Sequence, residues 1–334
     1  MKVIIPAAGM GKRLRPQTNT KPKPMVNVAG KTIIGHILEA LKGKVTDIIL
    51  IVGYQKEKLM ESVKKNFSDD FNLTFVEQKE RMGLGHAIHL ARKAVGDSEV
   101  LINLGDEIFG IDYAELMDDL KDHPELAGVL GVKRVDKPQH YGIVEEENGI
   151  VSRLVEKPSN PISNTAIAGV YLIRKSGLMF DILEEMIENK RTGKGGEYQL
   201  TDALQEMIER GEKFKTLEIE EWYDCGRPEM LLNVNRILLD RSKKQGKIGS
   251  KNSVIIEPVI IGKGCSIKNS IIGPYVSIDS NTKLENIHIS DSIIGSHCSL
   301  KGLFLKNSII DDNVAARGKP YTINAGENSV IDLT

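Results

Sequence analysis

Residues 2–16, Lys2-Val3-Ile4-Ile5-Pro6-Ala7-Ala8-Gly9-Met10-Gly11-Lys12-Arg13-Leu14-Arg15-Pro16, join a β-branched apolar run to a glycine-rich turn that carries cations. The run Val3 to Ile5, stopped by Pro6, predicts a short strand. After it, Gly9 and Gly11 let backbone N–H groups approach an anion closely. Arg13 offers a planar fork of donors to phosphate oxygens. Lys23, in Lys21-Pro22-Lys23-Pro24-Met25, adds a point charge on a proline-stiffened loop. The turn is not a Walker loop, because no Gly-Lys-Ser/Thr opens a helix, and its glycine spacing is wrong for a dinucleotide fingerprint.

Outward from this turn, short apolar runs alternate with amphipathic segments. Ile48 to Val52, Leu73 to Val76 and Val100 to Leu104 predict strands. Ile33 to Leu41, Lys56 to Lys65 and Leu84 to Val95 predict helices by their apolar spacing. Such alternation makes an α/β fold with a mostly parallel sheet covered on both faces. Ligands then bind beyond the carboxyl ends of the strands, where Ala7 to Arg15 and Gly105-Asp106 fall. From about Leu126 the pattern turns to strands at Val129 to Val132, Gly142 to Glu145, Ile150 to Val155 and Ile167 to Ile173, with Asn148-Gly149 a hairpin signal. Helices follow at Gly177 to Asn189, Leu200 to Glu209 and Pro228 to Asp240, the last with proline in its first turn.

Residues 1–241 thus read as one domain and 242–251, polar and basic, as a linker. In 252–334 aliphatic residues recur at six-residue steps: Ile255, Ile261, Ile267; Ile272, Ile278, Leu284; Ile294, Leu300. Ile261-Gly262, Ile272-Gly273 and Ile294-Gly295 repeat as short strings. Six is neither the helical period nor simple alternation. It predicts a left-handed parallel β-helix, one hexapeptide per side of a triangular coil, with irregular coils where the step slips.

The chain has 334 residues, 40% hydrophobic and 27% charged, with a formal net charge of -1, which argues against a general polyanion binder and against nucleic acid as partner. No Asp or Glu precedes Glu39, whereas Lys2, Lys12, Arg13, Arg15, Lys21, Lys23 and Lys31 do, a local field suited to a small, highly charged anion. Cys225, Cys265 and Cys298 are odd in number and far apart, so neither a disulfide framework nor a zinc site follows. The opening apolar run is too short for a signal peptide or a membrane span. A cytoplasmic protein with no membrane association is the expectation. His86 and His89, three apart on a predicted helix without a carboxylate nearby, read as surface residues.

The opening motif, with Gly11, Arg13, Leu14, Pro16, Thr18, then Lys23, Pro24, Met25 and Val28, resembles the nucleoside-diphosphate-sugar pyrophosphorylases, the sugar-1-phosphate nucleotidyltransferases, whose motif runs GGxGTRLxPxT and then KPMxPV. Ala8 replaces a glycine and Lys12 the threonine. The resemblance spans residues 1 to about 240 and is nearest to long-form glucose-1-phosphate thymidylyltransferases, which carry a hexapeptide β-helix. It implies a Rossmann-like, glycosyltransferase-A-like mixed sheet. Later segments match in order. Gln78 stands before Gly83-Leu84-Gly85; an amide both donates and accepts, so Gln78 can read the O4 and N3–H edge of uracil or thymine, and the resemblance puts Gln78 and Gly83 on the base. With Ala8, Gly9 and Gly11 they form the implied nucleotide site. Leu104-Gly105-Asp106 matches the family's LGD, and Trp222-Tyr223-Asp224-Cys225-Gly226 its WxDTG, implying Asp106 and Asp224 as ligands of Mg²⁺. Glu107 stands where thymidylyl-type members often have Asn, and Cys225 replaces Thr as a small, core-like residue. Glu156-Lys157-Pro158 matches the EKP motif, implying Glu156 on the sugar hydroxyls and Lys157 on the sugar phosphate. Tyr141-Gly142 and Gly169-Val170-Tyr171 match strands lining the sugar pocket. Glu197 to Ala203 is also family-like, its Thr201-Asp202 reading as a helix cap.

The implied reaction takes a nucleoside triphosphate and a sugar 1-phosphate, with dTTP and glucose 1-phosphate as first expectation, and releases pyrophosphate. Arg13, Lys23 and Lys157 are the implied catalytic residues. Uridylyl transfer to glucose 1-phosphate and guanylyl transfer to mannose 1-phosphate are the alternatives, followed by a bifunctional nucleotidyl/acetyltransferase and a non-catalytic regulatory homologue. The last is disfavoured because Arg13, Lys23, Asp106, Lys157 and Asp224 are all kept. The β-helix reads as an assembly module of a homo-oligomer.

Overall fold

The computed structural model describes residues 1–161, 163–242, 250–319, 324–327 and 329–330. The chain divides into two compact units, residues 1–26 with 31–231, and residues 27–30 with 232–334. In chain order to Asp224 the strands are β1 (Lys2–Pro6), β2 (Asn27–Val28), β3 (Lys31–Thr32), β4 (Asp47–Val52), β5 (Asn72–Glu77), β6 (Val100–Asn103), β7 (Glu107–Phe109), β8 (Gly128–Arg134), β9 (Gly142–Glu147), β10 (Ile150–Glu156), β11 (Thr165–Ile173), β12 (Phe214–Glu218) and β13 (Trp222–Asp224). The α-helices are α1 (Ile33–Leu41), α2 (Lys56–Phe67), α3 (Leu84–Leu90), α4 (Arg92–Val95), α5 (Tyr113–Asp122), α6 (Ser176–Glu188), α7 (Leu200–Glu209) and α8 (Pro228–Arg241).

In the first unit a mixed sheet runs β10-β9-β11-β6-β1-β4-β5, with β8 joining β11 to β12. The centre is parallel: β1 lies between β4 and β6, and β5 extends it beyond β4. Val3, Ile4 and Ile5 are fully buried because both sheet faces are covered, as a continuous apolar run requires. One layer of core joins Ile4, Ile49 and Ile102 to Phe180 and Leu183 of α6 and to Leu204 of α7. Each such side chain contributes about 1.5–3 kcal/mol when fully buried. α1 starts where its sequence says it should: Thr32 accepts from the N–H of Gly35 at 3.0 Å, and Ile33, Ile37 and Leu41 turn inward.

The helix expected over Leu84 to Val95 is divided at Ala91, whose N–H donates to Ile88 O at 2.9 Å in a tighter turn. Six elements escape the periodicity reading: β2, β3, β7, α5, β12 and β13. β7 and β13 have three residues each and mix charged with aromatic side chains, too short to show a period. α5 does carry a signal, since Asp112 accepts from Ala114 N at 2.9 Å as its N-cap.

In the second unit the strands of residues 250–317 form three parallel sheets, the sides of a left-handed β-helix. Ile255, Ile272, Ile289 and Leu305 stack in register along one side. Ile261, Ile278, Ile294 and Ile310 stack along the second, and Ile267, Leu284, Leu300 and Ala316 along the third. The slip in the six-residue step has a simple cause: the coil from Ile261 to Ile278 advances 17 residues and that from Ile278 to Ile294 advances 16, short of three full hexapeptides, so some sides step by five. Corners need left-handed backbone, and polar residues tolerant of it recur there. Asn252, Asn269, Asn286 and Gly302 have φ of 49°, 48°, 51° and 63° at one corner; Gly264, Asn281, His297 and Asn313 serve another. Asn235 of α8, 1% exposed, belongs to this unit: its Oδ1 accepts from Ala29 N (2.9 Å) and Ser277 Oγ (2.8 Å), and its Nδ2 donates to Tyr275 O (3.3 Å). Most of the expected linker, residues 243–249, lies outside the described residues. Among the described residues no helix is long and apolar enough to cross a membrane.

Candidate active site

The glycine-rich turn leaves β1 at its carboxyl end. Gly11 sits at φ 59°, and a Cβ there would come within 2.9 Å of Lys23 Cβ, so only glycine lets the turn close over the lysine. Thr18 Oγ1 donates to Gly11 O at 2.8 Å and ties the loop to itself. Arg13 stands on a 3-10 turn, Lys12–Leu14, and Lys23 opens another, Lys23–Met25. Lys23 is only 7% exposed.

What buries Lys23 also pairs it. β7 and β13 form a two-stranded antiparallel ribbon with Asp224 opposite Glu107, and Cys225 N donates to Asp106 O at 3.2 Å. This ribbon brings Asp106 and Asp224 to one point. Lys23 Nζ lies 2.6 Å from Asp106 Oδ2 and 3.9 Å from Asp224 Oδ1. Glu107 follows Asp106; burial, then the charges of Asp106 and Asp224, push its carboxyl well above the usual range, against a smaller pull from Lys23. The indole of Trp222 faces the Glu107 carboxyl and, with Lys23, favours its charged form, although the buried Glu107 Oε2 and Trp222 Nε1 make no hydrogen bond of good geometry among the described residues. Burial also pushes the Cys225 thiol up, so it is no nucleophile.

Two cavities meet here. One, of about 440 Å³, is walled by Gly9, Gly11, Arg13, Lys23 and Asp106. The other, of about 670 Å³, shares Arg13, Leu84, Leu104 and Asp106 with it, and adds Glu107, Gly142, Glu156, Lys157, Gly169 and Asp224. Lys157 Nζ donates to Glu156 Oε1 at 2.6 Å. Thr201 Oγ1 donates to Glu156 Oε2 at 2.7 Å, so Thr201 orients that carboxylate. The helix-cap reading of Thr201-Asp202 is therefore corrected: Gln199 occupies the N-cap of α7, with no side-chain cap bond, and Thr201 lies inside the helix. Gly169, at φ 83°, sits at an irregularity of β11, and a Cβ on it would strike Glu107 Oε2 at 2.1 Å. Tyr141 stacks edge-on against Trp222 with ring centroids 5.1 Å apart.

Ala8, Gln78 and Gly83 wall neither cavity. Gln78 is buried, and its Nε2 donates to Gly83 O at 3.3 Å and lies 3.2 Å from His86 Nδ1. The Gln78 amide nitrogen thus has two neighbours inside the protein, the Gly83 carbonyl that accepts from it and a His86 ring nitrogen whose role depends on the tautomer. The surface reading of His86 is also corrected. His86 is 8% exposed, and burial holds the pKa of both His86 and His89 below the ordinary value. α3 turns this face inward because its apolar residues Ala87 and Ile88 are adjacent in sequence. Among the described residues no three His, Cys, Asp or Glu side chains cluster as a ready-made metal cage.

A family profile described as "Nucleotidyl transferase" matches residues 2–241. The bifunctional protein GlmU of Methanocaldococcus jannaschii is 34% identical, over 97% of this chain and 83% of its own length. Glucose-1-phosphate thymidylyltransferase of Streptomyces antibioticus is 30% identical, over 100% of this chain and 99% of its own. Among solved structures, UDP-glucose pyrophosphorylase complexed with UDP-glucose superposes with a TM-score of 0.63 at 25% identity, covering 72% of this chain and 99% of that one.

Proposed function

The chain belongs to the nucleotidyl transferase family and is a sugar-1-phosphate nucleotidyltransferase, and from that premise we propose that it joins glucose 1-phosphate to dTTP with release of pyrophosphate. One observation carries the reading. Two cavities meet at Asp106, one walled by backbone turns and the cations Arg13 and Lys23, the other by Glu156 and Lys157. That is a place for two phosphorylated reactants that share one carboxylate pair.

A phosphate oxygen of the sugar 1-phosphate attacks the α-phosphorus of the nucleotide. The bond from the α-phosphorus to its bridging oxygen breaks, and pyrophosphate leaves with that electron pair. The attacking phosphate is already deprotonated near neutral pH, so no general base is needed. Catalysis is positioning and charge neutralisation. Lys157 holds the sugar phosphate, and Glu156, kept in place by Thr201, binds sugar hydroxyls. Arg13 and Lys23, with the backbone of Gly9 and Gly11, take the β- and γ-phosphates. Gln78 and Gly83 meet the base.

Asp106 and Asp224 fit a divalent cation. They already converge on a cation, the Lys23 ammonium, and they offer the hard oxygens that Mg²⁺ takes together with substrate phosphates. Bound there, Mg²⁺ would neutralise charge on the α-phosphate and its attacker.

The chemistry lies within residues 1–241, and residues 252–334 serve assembly of a cytoplasmic homo-oligomer. The test is pyrophosphate release with dTTP, UTP, ATP and GTP, each against glucose, galactose, mannose and N-acetylglucosamine 1-phosphates. dTTP with glucose 1-phosphate should be the best pair. A purine nucleotide as best substrate would overturn the base assignment. The solved relative with UDP-glucose supports uridylyl transfer as the second reading, and the same panel decides it. The bifunctional name of the Methanocaldococcus relative raises a second activity in the β-helix. Against it, His288 packs edge-on to Phe304 at 4.4 Å and His297 is a coil corner. With acetyl-CoA and an amino-sugar phosphate, no thiol should be released.

A further inference from the structure

We propose that His86 decides which atom of Gln78 faces the base, keeping both amide protons inside the protein and leaving only Oε1 to accept from a ring N–H, so that uracil and thymine are taken and cytosine is refused. The inference rests on the reading of Gln78 as the base-reading residue.

Gln78 directly follows β5, and its main-chain N–H donates to Val52 O at 2.8 Å, which fixes where the side chain starts. The side-chain amide has one orientation. Gly83 O, 3.3 Å from Nε2, is a carbonyl and demands a donor. Nε2 therefore has one proton left, and His86 Nδ1 lies 3.2 Å away. An amide nitrogen cannot accept, so Nδ1 must. The ring's own proton then sits on Nε2. Burial favours the neutral ring this arrangement requires. The frame around it is stiff: Tyr198 N donates to Met82 O and Gly85 N to Tyr198 O, both at 2.8 Å, on either side of Gly83.

The consequence is a one-sided reader. Uracil and thymine present N3–H, a donor to Gln78 Oε1. Cytosine presents N3 as an acceptor, so two acceptors would face each other in a buried place. A site built around one hydrogen bond rejects the analogue that cannot make it far more strongly than a hydrophobic pocket rejects a size change. Removing the His86 acceptor frees an amide proton and lets the group turn toward cytosine N3.

The readout is the ratio of kcat/KM for UTP to that for CTP. His86→Leu should lower it by about tenfold or more, and His86→Asn, which restores an acceptor, should recover most of the ratio. A general loss of packing would lower both rate constants together and leave the ratio alone. Gln78→Ala separates the two readings. If it leaves the ratio unmoved, Gln78 does not read the base and both readings fall. If Gln78→Ala lowers the ratio while His86→Leu does not, the base reading stands and the role of His86 is overturned. Should His86→Leu fail to fold, ¹⁵N-histidine spectra of the unaltered protein decide the matter. His86 Nδ1 should be an unprotonated acceptor with Nε2 protonated; a protonated Nδ1 overturns the proposal.

Discussion

Asp106 and Asp224 converge on one lysine although about half of the first unit's chain runs between them. Ile261 and Ile278 touch because the chain has gone once round a coil. The first contact depends on the whole sheet, on two three-residue strands and on a turn that only glycine allows. The second depends on the next coil alone. A change at the converging site should therefore alter chemistry with little change elsewhere, and a change in the β-helix should loosen neighbouring coils and leave chemistry intact.

The sharpest form of that contrast is Asp106→Ala. The rate of pyrophosphate release should fall on the order of a thousandfold, as for loss of a principal charge-stabilising group, and chelation of divalent cations should abolish turnover. Full activity in chelator would reject the metal assignment. On the other side, Ile289→Ala removes a fully buried side chain from the middle of a column and should cost about 2–5 kcal/mol in urea unfolding. Its kcat at a temperature where it stays folded should match the parent; a parallel fall in kcat would break the contrast.

Asn235→Ala probes a junction inside the second unit. It leaves Ala29 N–H, the Ser277 hydroxyl and Tyr275 O without their partner and should cost about 1–3 kcal/mol by the same unfolding measurement. No loss would show that water replaces the side chain there.

The smallest effect is one of pH. Burial depresses the His86 pKa in the fold, so between that value and the unfolded value near 6.5 the unfolded chain binds more protons. Stability contributed by neutral His86 is fully present above about pH 6.5 and is lost as pH falls through the folded pKa. His86→Asn should therefore lose less stability than the parent between pH 7.5 and 5.5. Parallel pH profiles for the two proteins would contradict this.

The sequence was legible where a residue's surroundings are local. The strands β1, β4, β5 and β6, the hexapeptide columns and the glycine-rich turn all follow from short-range pattern. It was less legible where partners come from afar. Nothing in Glu107 to Phe109 or Trp222 to Asp224 announces a ribbon, because three residues cannot show a period, yet that pair positions both aspartates. Thr201 resembled a cap because Thr-Asp before an apolar run is a capping pattern; its hydroxyl instead meets Glu156 across the fold. His86 resembled a surface residue because its partner, Gln78, lies in a different element. The coil corners could have been found: Asn252, Asn269 and Asn286 recur with the columns, and left-handed backbone explains them.

The central claim is direct transfer between two bound phosphates, without a covalent enzyme intermediate. Lys23 is ion-paired with Asp106 and Cys225 is a buried thiol, so neither is placed to attack the α-phosphorus and carry the nucleotidyl group covalently. Exchange of radioactive pyrophosphate into dTTP, with Mg²⁺ present, tests this most directly. The account predicts no exchange with the nucleotide alone and rapid exchange once glucose 1-phosphate is added. Exchange at a comparable rate without any sugar phosphate would mean that the protein itself accepts the nucleotidyl group, and would contradict the account.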